Sequence, residues 1–494
     1  MEERLQILFA TSEVTPLAHT GGLGDVACAL PKALTTLGLD VRVVMPLYQA
    51  VRRSGVNLTR VFTDLPVPLT TGVARANVWQ TDLNGQGQSA SQTVPVYCIE
   101  QDAYFDRPGL YGSDHGDYPD NAERFIFFCR AALALVEALY WFPQILHCHD
   151  WQTALLPASV RFLEGLDPRL TRAVTVYTIH NLAYQGIFPA EKFPLTGLPS
   201  TLFHPTGVEY YGNMNLMKAG LLYGDYLTTV SPTYAEEICT PEFGVGLQGL
   251  LSTRRHVLVG ILNGADYDVW NPASDAALAA PYSAADLSGK ATCKATLLRE
   301  YGLPEDPETP LLGMISRLVE QKGVDILIAA LPTLLDMPVR LVLLGAGAPH
   351  YQESLVRQAQ AYPERLGIRL VFNNVLAHQI EAGCDALLMP SRYEPCGLNQ
   401  LYSMRYGTIP IVRATGGLRD TVSPYRTDTG EGTGFVFQES TPEALLAAVR
   451  EALQVFVDRP AWQRLMHNAM AQDFSWEQSA RRYLDLYQRA VVTK

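Results

Sequence analysis

Two cations set close together after an apolar run are the first chemistry the sequence offers. Leu311-Leu312-Gly313-Met314-Ile315 leads directly into Ser316-Arg317-Leu318-Val319-Glu320-Gln321-Lys322-Gly323. If the apolar run is a buried strand, Arg317 and Lys322 stand at its carboxyl end, where open α/β sheets place ligands. A forked guanidinium and a point-charge ammonium suit a diphosphate, and would stabilise negative charge growing on a departing nucleotide. A solvated basic turn is the plainer alternative.

A second loop has the same placement. Pro390-Ser391-Arg392-Tyr393-Glu394-Pro395-Cys396-Gly397-Leu398-Asn399-Gln400 follows an apolar run and precedes a helical pattern. Glu394 could accept hydrogen bonds from sugar hydroxyls, with the backbone of Cys396, Gly397, Leu398 and Asn399 beside it; equally, a Glu next to a Pro is often only an exposed loop residue. Cys396 has no nearby histidine to make a thiolate, so a small packed residue is the alternative to a nucleophile. His147-Cys148-His149-Asp150-Trp151 and Thr178-Ile179-His180-Asn181-Leu182 also end apolar runs. The H-x-H pair invites a metal, yet no third and fourth ligand lie at a recognised spacing. Core histidines, or polar groups for sugar hydroxyls, are the other readings. Thr20-Gly21-Gly22-Leu23-Gly24-Asp25 is echoed by Thr415-Gly416-Gly417-Leu418-Arg419-Asp420. Each reads as a glycine turn opening a helix, whose bare N–H groups suit an anion; ordinary turn glycines would look the same.

The elements that must position these groups are legible as alternating strands and helices. Leu5 to Ala10 reads as a buried strand, Val26, Ala29, Leu30, Ala33, Leu34 and Leu37 share a helical face, Gly38 stops that helix, and Val41 to Met45 starts a strand. Strands are expected again at Val174 to Ile179 and Tyr226 to Ser231, with a helix over Ala122 to Tyr140. A second series begins near Pro310, with strands at Leu311 to Ser316, Arg340 to Leu344, Ile368 to Phe372 and Ala386 to Met389. This order predicts parallel sheets in two α/β domains, 1–260 and 261–473, with a hinge at Gly260 to Asn263 and a last segment over 474–494. The length of 494 residues agrees with more than one core.

Composition excludes several classes. A net charge of -12 weighs against a nucleic-acid partner. No stretch approaches the roughly 18 apolar residues of a membrane helix, and Met1 to Ala10 lacks a secretory signal, so the expectation is a soluble cytoplasmic protein. Eight cysteines without a C-x-x-C pair point to reduced thiols.

Taken in order, these motifs resemble the bacterial glycogen synthases and plant starch synthases, glycosyltransferase family five. Added to them are Ala103-Tyr104-Phe105-Asp106-Arg107-Pro108-Gly109, Ser231-Pro232-Thr233-Tyr234-Ala235 and Ile261-Leu262-Asn263-Gly264, so the likeness covers almost the whole chain. The resemblance implies the GT-B fold, two Rossmann-like domains facing across a cleft, with a last helix around Trp476 to Val492 crossing back to the N-terminal domain. It implies retaining transfer of glucose from ADP-glucose to the 4-hydroxyl of an α-1,4-glucan, without a metal or other cofactor. By the same resemblance Arg317 and Lys322 hold the diphosphate and Glu394 lies against the donor glucose with Cys396 to Asn399 around it. Asp150, His180 and Asn181 reach the sugar and acceptor, and Tyr104 contacts the glucan. His19, Gly21 and Gly22, with Thr415, Gly416 and Gly417, complete the substrate-binding set.

Two positions depart from the family pattern. The first loop usually begins with Lys, where this chain has His19, which puts donor affinity and nucleotide preference at issue. Related transferases carry a second Glu eight positions after the first, and here that place is Tyr402; bacterial glycogen synthases tolerate its absence, so it is a family trait and no argument against activity. A UDP-glucose enzyme and a catalytically impaired glucan-binding paralogue are the competing readings. Retention of Arg317, Lys322, Glu394, Asp150 and His180 argues against the second.

Overall fold

The structure is a computed structural model that describes residues 4–83, 93–113 and 116–494. The start of the segment read for targeting, Met1 to Glu3, lies outside them. Contacts divide the chain into two units: one takes in the chain to Val230, Ala235–Ile261 and Trp476–Lys494, the other Ser231–Tyr234 and Leu262–Ser475. Ser231–Tyr234 falls within the stretch assigned from sequence to the first domain, yet it is anchored in the second unit. Ser231 Oγ donates to the Pro395 carbonyl at 2.5 Å, and the Thr233 N–H and hydroxyl donate to Asp420 at 2.8 and 2.6 Å.

The first unit is built on a nine-stranded sheet. Across it run Leu258–Gly260, Tyr226–Thr229, Val174–Ile179, Ile145–His149, Gln6–Ala10, Asp40–Pro46, Pro95–Glu100, Gly72–Asp82 and Thr59–Leu69. The first seven are parallel and the last two antiparallel. Parallel strands are covered on both faces, which is why Val174–Ile179 is buried at every position and is built of β-branched and aromatic residues. The antiparallel extension was not foreseen. Thr59–Leu69 and Gly72–Asp82 are exposed over much of their length, so their alternation is too shallow to announce a strand. Gly72, at φ 126, makes the turn between them.

Helix Gly22–Thr36 buries Val26, Ala29, Leu30 and Leu34, and Gly38, at φ 93, follows its end. The last helix, Trp476–Thr493, packs on it and buries Tyr483, Leu486, Tyr487 and Ala490. The C-terminal helix therefore returns to the first unit.

The second unit has six parallel strands in the order Leu366–Arg369, Arg340–Leu344, Leu311–Ile315, Ala386–Met389, Ile409–Arg413 and Phe435–Phe437. Its main core joins these strands to the helices Val324–Asp336 and Pro442–Val457. The strand expected over Ile368 to Phe372 lies earlier, because pairing with Leu341–Leu344 ends at Arg369. Val371 and Phe372 lie beyond the ladder and are exposed. Among the described residues no helix is long and apolar enough to cross a membrane.

Candidate functional site

Strand order locates the site in each unit. In the second, the chain moves from Leu311–Ile315 through Arg340–Leu344 to Leu366–Arg369, then resumes on the other side at Ala386–Met389. The order thus reverses between two strands that pair directly, Leu312 opposite Ala386. Beyond the carboxyl ends of strands at such a reversal, open α/β sheets hold their ligands. The loops leaving these strands are the ones that carry Arg317, Lys322 and Glu394.

The two loops are fastened to each other. Arg392 N–H donates to the Gln321 carbonyl at 2.8 Å, and a Cβ on Gly323, at φ 67, would lie 2.0 Å from the Pro390 carbonyl. Lys322 Nζ donates to Glu394 Oε2 at 2.6 Å and Ser391 Oγ donates to the same oxygen at 3.0 Å. Glu394 is buried, which removes the exposed-loop alternative. Arg317 is exposed, and its guanidinium reaches Gln321 Oε1 at 3.5 Å.

The third segment, Thr415 to Gly417, presses on the Glu394 loop. A Cβ on Gly416 would stand 1.9 Å from the Glu394 carbonyl, and one on Gly417 2.1 Å from that of Cys396. Gly417 N–H donates to the Glu394 carbonyl at 3.1 Å, so it is not the bare donor that the sequence suggested. These glycines set the position of Glu394 by close packing. Cys396 is buried and its thiol is pushed up to about 12 by burial, the behaviour of a packed residue and not of a nucleophile. Gly397, at φ 72, makes the turn into Asn399–Arg405, and Gln400 Nε2 donates to its carbonyl at 3.0 Å. Asn399 Nδ2 donates to the Ile315 carbonyl at 2.8 Å, tethering the helix start to the neighbouring strand end. Leu398 is half-buried between them.

Tyr402 does different work from a second carboxylate. Its ring stacks on Trp270 at 3.9 Å and 5°, and Trp270 stacks on His378 at 3.8 Å and 8°. Asp275 closes the cluster, holding His378 Nδ1 at 2.7 Å and the Tyr406 hydroxyl at 2.5 Å. The helix that begins beside Glu394 is thereby braced by the segment that carries Trp270 and Asp275.

In the first unit the strand order reverses between Gln6–Ala10 and Ile145–His149, paired through Ile7 and Ile145. The loop after the first holds His19, Gly21 and Gly22, and the second runs straight into Asp150. His180 and Asn181 end the adjacent strand, Val174–Ile179. Asp150 adopts φ 53, a strained conformation for a non-glycine residue, and its Oδ1 accepts the His180 N–H at 2.8 Å. Burial pushes its carboxyl up to about 7. His180 is buried, and desolvation holds its ring down to about 3. Asn181 is half-buried and caps its own turn, Oδ1 accepting from Ala183 N–H at 3.1 Å.

The N–H of Gly21 in the first loop is not bare, contrary to expectation. A residue overlooked in the sequence, Glu13, lies beneath that loop: Oε2 accepts from Thr20 N–H at 2.6 Å and Gly21 N–H at 3.3 Å, and Oε1 accepts the Tyr111 hydroxyl at 2.6 Å. The echo between the halves is likewise partial. Gly416 is left-handed and jammed, whereas Gly21 is extended with nothing near its Cβ position. What the copies share is the aspartate: Thr15 Oγ1 donates to Asp25 at 3.0 Å, as Thr233 Oγ1 does to Asp420. His19 is exposed and lies against Gly24, where a Cβ would come within 2.5 Å of its own. Tyr104 is half-buried on the short helix Asp102–Phe105, its carbonyl held at 2.7 Å by the fully buried Arg124.

The H-x-H pair is internal. His147 Nε2 lies 2.6 Å from Thr178 Oγ1 and its Nδ1 2.7 Å from the Tyr487 hydroxyl, while His149 Nδ1 lies 2.9 Å from His180 Nε2. Among the described residues no three His, Cys, Asp or Glu side chains gather as a metal site.

Residues 6–253 match the starch synthase catalytic domain family and residues 300–460 the group 1 glycosyl transferases. The chain is 50% identical over 487 residues to a glycogen synthase of Anaeromyxobacter dehalogenans, covering 98% of this chain and 99% of that one. It is 46% identical over 490 residues to glycogen synthase 2 of Geobacter sulfurreducens, covering 99% and 100%. The catalytic domain of starch synthase IV from Arabidopsis thaliana, solved with ADP and acarbose, superposes with a TM-score of 0.91 at 35% identity, covering 99% of this chain and all of that one.

Proposed function

Because this chain belongs to the glycogen and starch synthase family, we propose that it elongates an α-1,4-glucan from ADP-glucose with retention of configuration. The bond between the glucose anomeric carbon and the diphosphate breaks, and its electron pair leaves with ADP. The 4-hydroxyl oxygen at the non-reducing end of the glucan forms the new bond, and its proton passes to the departing diphosphate oxygen.

The observation that carries this reading is the Lys322–Glu394 pair, 2.6 Å long, at the reversal point of the second sheet. Lys322 and Arg317 stabilise the charge that develops on the departing diphosphate, which lowers the barrier only if they sit where that charge appears. Glu394, fixed by Lys322 and Ser391, takes hydrogen bonds from the sugar. In the first unit Asp150, His180 and Asn181 supply a carboxylate, an imidazole and an amide for the sugar and acceptor, and Tyr104 a ring for the glucan. No cofactor enters this scheme. The ADP and acarbose bound by the Arabidopsis enzyme support an adenine nucleotide and a saccharide as ligands. All eight cysteines are free thiols, which supports a reducing, cytoplasmic setting.

A donor screen tests the proposal. Purified protein with glycogen is expected to release ADP from ADP-glucose and to lengthen the chains. Release of UDP from UDP-glucose with none of ADP from ADP-glucose would overturn the donor, and release of neither the activity.

A further inference from the structure

His149 has no part in the chemistry described so far, yet it sits directly behind His180. Its ring is fully buried and packed against both Phe9, at 3.9 Å, and His147, at 4.1 Å. His147 is itself held at both nitrogens, by Thr178 and by Tyr487 of the last helix. The His149 ring is therefore wedged, with Nδ1 directed at His180 Nε2, 2.9 Å away.

Burial drives His149 and His180 well below the usual imidazole range, so each ring carries one proton. Only one hydrogen can lie between the two facing nitrogens. If His180 supplied it, the proton of His149 would sit on Nε2, which is buried with no hydrogen-bond partner among the described residues. If His149 supplies it, Nε2 is left with only an unfilled lone pair. An orphaned buried N–H is the rarer and costlier of the two. The second arrangement forces the proton of His180 onto Nδ1, the ring nitrogen with no hydrogen bond to any described residue.

We propose that His149 is a positioning residue that fixes His180 as its Nδ1–H tautomer, so that His180 offers the sugar a donor and never an acceptor. Its partner is then a hydroxyl oxygen of the glucosyl group acting as acceptor. The inference rests on the reading that His180 faces the sugar, but the tautomer itself is independent of that reading.

The test is nitrogen-15 NMR of histidine-labelled protein, with His180 assigned by its loss in His180→Gln. The expected spectrum shows His180 protonated at Nδ1; protonation at Nε2 would overturn the proposal whatever the substrate proves to be. In kinetics, His149→Leu is expected to lower kcat/KM for the glucosyl donor about ten-fold, the usual worth of one hydrogen bond. His149→Asn, whose amide nitrogen can stand near the place of Nδ1, is expected to recover most of that loss. Equal activity of the two variants, both shown folded by circular dichroism, would also sink the idea. If His149→Leu fails to fold, the wild-type spectrum still decides.

Discussion

Lys322 and Glu394 meet at 2.6 Å although 72 positions separate them in the chain. The cation suited to a diphosphate is thus already paired with the carboxylate suited to the sugar, and each orients the other. Under the proposed function, donor binding adds the diphosphate to a lysine that Glu394 has pre-aimed, which couples preorganisation and binding in one contact.

Glu394→Gln keeps the shape and removes the charge. Its kcat for chain elongation is expected to fall by about 100-fold or more, the scale for losing a positioned electrostatic group. Ser391→Ala, which removes only a supporting hydroxyl, should cost about ten-fold or less. A Glu394→Gln enzyme within a few-fold of wild type would remove Glu394 from the site.

Close packing at Gly416 predicts an asymmetry between the two glycine turns. Gly416→Ala must push the Glu394 carbonyl, 1.9 Å from the added Cβ, out of place, and should lower stability by about 2–4 kcal/mol as well as lowering kcat. Gly21→Ala meets nothing within 4 Å and should leave the melting temperature nearly unchanged. Equal effects on melting would contradict the partial echo.

The Tyr402–Trp270–His378 stack makes the second Glu of related transferases unwelcome in this chain. Tyr402→Glu would bury a carboxylate at a position that is 6% exposed, at a cost of about 2–4 kcal/mol, and is not expected to raise activity. Denaturant unfolding beside the donor assay checks both halves of this statement.

Asp150 gives a pH signature. Above about pH 4 the unfolded chain releases the proton that the folded chain keeps until about pH 7. The unfolded state then binds fewer protons, so the contribution of this group to stability falls by about 1.4 kcal/mol per pH unit across that window and is level outside it. Relative to Asp150→Asn, wild type should lose melting temperature between pH 5 and 7. A difference that stays constant with pH would show that burial does not raise this carboxyl.

His19 is the exposed departure in the first loop. His19→Lys supplies a fixed cation beside the glycine turn and is expected to lower KM for ADP-glucose several-fold. An unchanged or higher KM would mean that this position does not meet the donor's charge.

Much of the site's inventory was legible without coordinates. Arg317, Lys322 and Glu394 announce themselves because each follows an unbroken apolar run, and a parallel strand buried on both faces has to be such a run. Asp150 and His180 are placed by the ends of two further buried strands, Ile145–His149 and Val174–Ile179. Glu13 and Arg124 gave no signal, and the part His149 plays in the H-x-H motif could not be read, because these roles depend on partners elsewhere in the chain: Glu13 on Tyr111, His149 on His180, Arg124 on the Tyr104 carbonyl. The Thr59–Leu69 hairpin was silent for another reason, since exposed strands lack the contrast that patterning needs.

By itself, then, the sequence determined the strands, the helices, the two α/β series and the residue types able to bind a sugar nucleotide, because hydrophobic periodicity and turn chemistry are local properties. It could not determine the order of strands within each sheet. That order makes the chain reverse beside Gln6–Ala10 and beside Leu311–Ile315 and so gathers the functional loops. It arises from pairing between segments more than 70 residues apart, Leu312 with Ala386 and Ile7 with Ile145. Tertiary packing also decided which glycines are pressed against a neighbouring carbonyl, as Gly416 and Gly417 are, and which stand open, as Gly21 does, because a missing Cβ looks the same in a sequence whatever takes its place.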